Sequence, residues 1–168
     1  DLIRRLNLAA ITVLNNKEHI LPLHADKEMP PMALLEVGDA GETDALAGRL
    51  GKYTSLVRFR LRKGMTEAQE RVLRDSLSGY RRVIVAVSEQ RLAPFQNFFA
   101  GLVTDKKNPP TVYLFFTPGK MMLQIHRAVS TAQAVVLAHS TGQDVQRQVA
   151  DILFARASAD GRLSASLG

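Results

Sequence analysis

The sequence predicts an α/β three-layer sandwich, a mainly parallel sheet of five or six strands with helices on both faces. Three observations carry that prediction. Five short apolar runs of strand length recur along the chain. Stretches with helical spacing separate them, and strands alternating with helices of about ten residues imply crossover connections and a parallel sheet. Crossovers have a fixed hand, which lets successive helices cover both faces of one sheet.

The elements follow in order. Leu2 to Ala10 reads as a helix, and residues 1–23 as a lead-in to the sandwich of residues 32–168. Met32 to Val37 is the first apolar run, with a helical stretch over Glu42 to Leu50. Ser55 to Leu61 is the second run, followed by a helix over Thr66 to Leu77. That helix has an N-cap threonine with Gln69 at its third position, and Gly79 stands where it should stop. Arg82 to Val87 leads to a helix over Leu92 to Val103, and Pro109-Pro110 punctuates the start of Thr111 to Phe116. Gly119 to Ala128 reads as helix, Ala134 to His139 as the fifth run, and Gln143 to Phe154 as the closing helix.

Residues 1–168 read as one domain. A chain that opens at Asp1 without methionine, directly on a helical pattern, reads as a piece of something larger. Its composition, 46% hydrophobic and 23% charged, is that of a globular domain. Cysteine is absent, which excludes disulfide scaffolds, thiolate metal sites and cysteine nucleophiles. No apolar run has the roughly 18–20 residues that a membrane-spanning helix needs. The net charge is +6, but the basic residues are scattered, aromatics make up 6% and tryptophan is absent. Those features argue against nucleic acid as a partner.

One run departs from the pattern. Val57-Arg58-Phe59-Arg60-Leu61-Arg62 alternates strictly between apolar and basic. A central parallel strand is buried on both faces and should be apolar throughout. The alternation therefore predicts an edge strand, with Arg58, Arg60 and Arg62 on a wet face or against a partner.

In an open parallel sheet, ligands bind beyond the carboxyl ends of the strands. The loops there offer Asp39, Ser88, Glu89 and His139 as candidate binding residues. The loop Gly38-Asp39-Ala40-Gly41-Glu42-Thr43 has neither G-x-G-x-x-G nor G-x-x-x-x-G-K-[ST], and its acids would repel phosphate. Ser88, His139 and Asp144 contain the residue types of a hydrolytic triad, but the elbow G-x-S-x-G is absent. The histidines His19, His24, His126 and His139 lack metal-ligand spacing, so no metal is expected. A receiver domain would need an aspartate after its third strand and a lysine after its fifth, where this chain has Ser88-Glu89 and His139. The residues alone thus give a sandwich without a catalytic set or a cofactor.

Two segments resemble a known family. Ala9-Ala10-Ile11-Thr12-Val13-Leu14-Asn15-Asn16, continuing to Leu21-Pro22-Leu23, resembles the opening of the C-terminal domain of glycoside hydrolase family 3, where a helix runs into a similar phrase. Ala150-Asp151-Ile152-Leu153-Phe154, followed by Ser158-Ala159-Asp160-Gly161-Arg162-Leu163-Ser164, is similar to that family's closing phrase. Ala155 stands where the family has glycine, and Ser164 where it has proline. The short strands and the last helix are most similar to the bacterial β-N-acetylhexosaminidase branch.

The resemblance implies an accessory domain. Retaining glycoside hydrolysis needs two carboxyl groups about 5 Å apart. In this family the nucleophile lies in an N-terminal (β/α)8 barrel, a fold of about 250 residues that this chain has no room for. The implied partners are that barrel and, through it, a carbohydrate. The implied location is bacterial, periplasmic or secreted, with the cytoplasm also open. Glu36, Glu42 and Glu89 lie near strand ends, but none sits in a motif that transfers a catalytic role. The competing reading is a free-standing module that binds a small sugar or nucleotide. A third is a hydrolase acting through Ser88 or His139.

Overall fold

A computed structural model describes residues 11–16, 21, 23, 25, 27–104 and 109–155. Six strands form one sheet: β1 (Thr12–Asn16), β2 (Met32–Val37), β3 (Leu56–Leu61), β4 (Val83–Val87), β5 (Thr111–Phe115) and β6 (Ala134–Leu137). Their order across the sheet is β1-β6-β5-β4-β2-β3. Strands β2 to β6 are mutually parallel, and β1 pairs antiparallel with β6. The α/β sandwich that the apolar runs predict is therefore present.

Among the described residues five α-helices cover the two faces: α1 (Asp44–Leu50), α2 (Glu67–Leu77), α3 (Gln96–Thr104), α4 (His126–Thr131) and α5 (Gln143–Leu153). Alternate residues of the central strands feed two separate cores. Leu34, Ile84, Leu114 and Val136 pack under α1 and α5. Leu35, Val85, Tyr113 and Val135 pack under α2, α3 and α4. Burial on both faces explains why Val83-Ile84-Val85-Ala86-Val87 is apolar throughout.

Local chemistry sets the boundaries. The Thr66 hydroxyl accepts from the Gln69 amide while the Gln69 side chain accepts from the Thr66 amide, the reciprocal cap expected at this helix start. Edge position explains the alternation in β3, where Arg58 and Arg60 are exposed while Leu61 is buried.

Three expectations need correction. Residues 12–16 are not merely part of a lead-in, because they form the sixth strand. Ile11 and Val13 dock into the α1–α5 core there, and a register shift between Val13 and Asn15 lets the strand follow β6. The stretch Gly119 to Ala128 is not one α-helix: Gly119–Ile125 is a 3-10 helix, and α4 starts only at His126. A 3-10 turn, Ala93–Phe95 with a proline in its first positions, likewise precedes α3. The helix read over Leu2 to Ala10, and the turn at Gly161, lie outside the described residues.

Ala155 follows the end of α5 with φ 60°, in the left-handed region that favours glycine. This is the position where the family phrase carries glycine. The backbone keeps the glycine-type turn, at a strain of about 1 kcal/mol for a residue with a Cβ.

Candidate functional site

The parallel strands place their carboxyl ends along one rim of the sheet. The chain moves outward from β2 to β3, then crosses back to β4, β5 and β6. The connection after β2 lies on the α1 face and the one after β4 on the α3 face. Strands β2 and β4 therefore flank the point where the winding reverses, the usual ligand crevice of such sheets.

Asp39 and the pair Ser88-Glu89 meet at this point. Their loops are held close together. Both the Ser88 and Glu89 amides donate to the Val37 carbonyl, at 2.9 and 3.0 Å. The Ser88 hydroxyl donates to the same oxygen at 3.3 Å. Gly38 has φ 154°, and a Cβ there would lie 2.0 Å from the Ser88 oxygen. Glycine is thus required by contact with Ser88, which brings the two loops together here. Asp39 is exposed, and its carbonyl accepts from the Glu42 amide at 3.2 Å.

His139 lies elsewhere on the rim. It follows β6, and β5 separates β6 from β4. Two strand spacings put the backbones about 10 Å apart. His139 has φ 62°, a strained value for a histidine, and its ring is exposed. Asp144 is paired with Arg147 at 3.2 Å. With the Ser88 hydroxyl committed to a carbonyl, the arrangement of Ser88, His139 and Asp144 shows none of the hydrogen bonds of a triad.

The edge arginines differ among themselves. Arg58 donates through Nε and Nη2 to the two oxygens of Glu36, both at 2.7 Å, and through Nη2 to Asp44 at 2.6 Å. The bonds to Glu36, then those to Asp44, hold its guanidinium far above its ordinary pKa. Glu36 also accepts from the Thr43 hydroxyl at 2.5 Å, so three hydrogen bonds engage both oxygens of this carboxylate. Arg60 donates to the Gly38 carbonyl at 3.2 and 3.1 Å, clamping the loop after β2. Arg62 is exposed, and among the described residues only its backbone amide is engaged, with the Met65 sulfur at 3.3 Å.

Gln146 is the residue that sequence reasoning passed over. It is 1% exposed. Its amide nitrogen donates to the carbonyls of Glu42 at 2.9 Å and Thr141 at 2.8 Å. Its oxygen accepts from the Leu46 amide at 2.9 Å. One side chain thereby joins the loop after β2 to the loop after β6. Its signal in the sequence was weak: a glutamine one turn into an amphipathic helix, at a position in register with Val145 and Val149.

Thr117, just past β5, is 2% exposed, and its hydroxyl has no hydrogen-bond partner among the described residues. No cluster of three histidine, aspartate or glutamate side chains suited to a metal occurs among the described residues. No described helix is long and apolar enough to cross a membrane. A cavity lined by Leu102, Pro109, Pro110, Thr111 and Tyr113 opens at the amino ends of the strands, at the opposite pole from this rim.

No protein-family model matches the sequence, and no curated protein is similar enough to count as a relative. Solved structures do match. A fungal multi-domain GH3 β-N-acetylglucosaminidase superposes with TM-score 0.71 at 13% identity, over 96% of this chain and 18% of its own. A glycoside hydrolase family 3 β-N-acetylglucosaminidase from Paenibacillus sp. gives 0.69 at 16% identity, over 96% of this chain and 31% of its own. A β-glucosidase from Chaetomella raphigera gives 0.62 at 18% identity, over 96% and 29%. The chain shares its fold with a part of these enzymes and spans less than a third of their length.

Proposed function

We propose that this chain is a non-catalytic accessory domain of a family 3 glycoside hydrolase, of the β-N-acetylhexosaminidase or β-glucosidase kind. It packs on a separate (β/α)8 barrel that carries the chemistry. The observation that carries this reading is the asymmetry of coverage: 96% of this chain corresponds to 18–31% of three much longer glycosidases. The rim supports it. Glu36 is held by Arg58 and Thr43 through both oxygens, and Ser88 is bonded to a backbone carbonyl, which suits neither to act as acid or nucleophile.

In this role the rim residues Asp39, Ser88, Glu89 and His139 border the barrel's substrate pocket. The β3 edge is the contact face. Arg58 and Arg60 brace the domain internally, which leaves Arg62 as the arginine whose side chain faces outward. The alternative, a free-standing module for a small sugar or nucleotide, would use the crevice between β2 and β4. Contact between Gly38 and Ser88 brings the two walls of that crevice together.

The test is hydrolysis of a panel of chromogenic N-acetylglucosaminides and glucosides by this chain and by a full-length parent enzyme. An active parent and an inert chain are expected. Turnover by the chain alone would overturn the proposal. Charge reversal at Arg62 should weaken association with the barrel while leaving the melting temperature of the domain unchanged. Unaltered association would remove Arg62 from the interface.

A further inference from the structure

A cleft of about 600 Å³ opens beside the winding reversal, on the α3 face. Lys63, Gln90, Arg91, Ala93, Pro94 and Gln124 line it. It is distinct from the contact between Gly38 and Ser88, because its walls come from the turn after β3, the loop after β4 and the 3-10 helix Gly119–Ile125.

The wall that carries Arg91 is fixed. The Gln124 oxygen accepts from the Leu92 amide at 2.8 Å, and its nitrogen donates to the Gln90 carbonyl at 2.8 Å. Gln96 donates in turn to the Gln124 carbonyl at 3.1 Å. The Arg91 amide donates to Glu89 Oε1 at 3.0 Å. These bonds pin the backbone on both sides of Arg91. Its guanidinium has no ion pair or hydrogen bond among the described residues.

Charge in the cleft is unbalanced. Lys63 faces Glu89 Oε2 at 3.6 Å, a long pair with the lysine 55% exposed. Among the described residues Glu89 is the carboxylate that pairs with Lys63, while the Arg91 side chain meets none and only its backbone amide reaches Glu89. Two cations against one anion leave a net positive mouth over a floor of Ala93 and Pro94. A planar guanidinium on a rigid loop suits a carboxylate or phosphate, which it can grip with two parallel hydrogen bonds.

We propose that this cleft binds a small molecule bearing a carboxylate or phosphate group. Arg91 takes the anion, and Lys63 exchanges its contact with Glu89 for one with the ligand. Glu89 then acts as a built-in competitor. This site does not depend on the accessory role proposed above.

The experiment is titration of the isotope-labelled chain with inorganic phosphate, glucuronate and, as a neutral control, glucose, followed by backbone amide shifts. Saturable shifts are expected at Lys63, Gly64, Gln90 and Arg91 with at least one of the two anions and not with glucose. They should fade near 1 M salt, where screening acts over about 3 Å. A response to phosphate alone identifies a phosphoryl ligand, and one to glucuronate alone identifies a carboxylated sugar. Arg91→Gln and Lys63→Gln should each weaken binding about two- to fivefold, and Glu89→Gln should strengthen it by a similar factor. Lys63 and Arg91 are exposed and Glu89 is partly buried, and amides far from the cleft report whether each variant is folded. Equal shifts with glucose, weaker binding in Glu89→Gln, or no saturable shift with either anion would overturn the proposal.

Discussion

On one face of the sheet, α1 and α5 lie side by side and are joined by polar side chains that reach across the sequence. Gln146 bonds three backbone groups, one in α1 and one in each of two loops, and the Tyr53 hydroxyl donates to Asp151 at 2.5 Å while its ring stacks on Phe154 at 4.8 Å. On the other face, α2, α3 and α4 are held by aromatic packing. Phe98 and Phe99 meet edge to face at 5.5 Å, and Phe99 leans on Tyr113, which stacks on Phe115. Burial there pushes the Tyr113 phenol well above its ordinary pKa. The contrast separates two tasks. Hydrophobic burial is non-directional and supplies stability. Hydrogen bonds are directional, so the polar face sets where the rim loops stand.

The largest expected effect tests the aromatic face. Phe98 is fully buried. Phe98→Ala should cost about 3–5 kcal/mol, from lost burial and the cavity left behind. Denaturant unfolding measures it. The amide shifts of the loops at residues 38–43 and 139–142 should hardly move, because α3 lies on the far face. Large shifts there would show that the two faces do not divide the work.

Gln146→Leu sharpens the comparison from the other side. The leucine keeps most of the volume but strands the Leu46 amide and the carbonyls of Glu42 and Thr141. The stability loss should be about 2–3 kcal/mol, less than for Phe98→Ala, since loop carbonyls near the surface can recruit water. The loop amides at 38–43 and 139–142 should shift strongly. A loss without loop movement would make Gln146 an ordinary packing residue.

This division also explains what the sequence revealed. Apolar runs, the Thr66–Gln69 cap and the alternation in β3 are local signals, and each one names an element that exists. The polar ties are not local. Gln146 and Leu46 are separated by 100 positions, and Tyr53 and Asp151 by 98, so no spacing rule pairs them. The same holds for Arg58. Its alternation with apolar residues identified an exposed face, but not the Glu36 and Asp44 that occupy its guanidinium. Strand β1 escaped because its pairing with β6 joins segments more than a hundred residues apart. The rim candidates could be placed at strand ends, while the distance between His139 and Ser88 depends on a strand order that no local pattern reveals. The cleft around Arg91 was invisible for the same reason, since its walls come from three separate segments of the chain.

The smallest predicted effect lies where a cation enters the aromatic face. Arg74 of α2 sits 5.5 Å from the centre of the Phe98 ring. It reaches that place across Gly101, where a Cβ would lie 2.6 Å from the guanidinium carbon. Gly101→Ala sets two terms of similar size against each other. Removing glycine from a helix interior is worth about 1 kcal/mol. Displacing Arg74 forfeits about 0.5–1 kcal/mol of cation–π attraction. The net change should therefore be close to zero. In an Arg74→Ala background the second term is already gone, and the same substitution should stabilise the domain by about 1 kcal/mol. Unfolding of the four members of this cycle separates the terms. Equal effects of Gly101→Ala in both backgrounds would mean that Arg74 covers the ring without holding it. The aromatic face would then owe its stability to apolar burial alone.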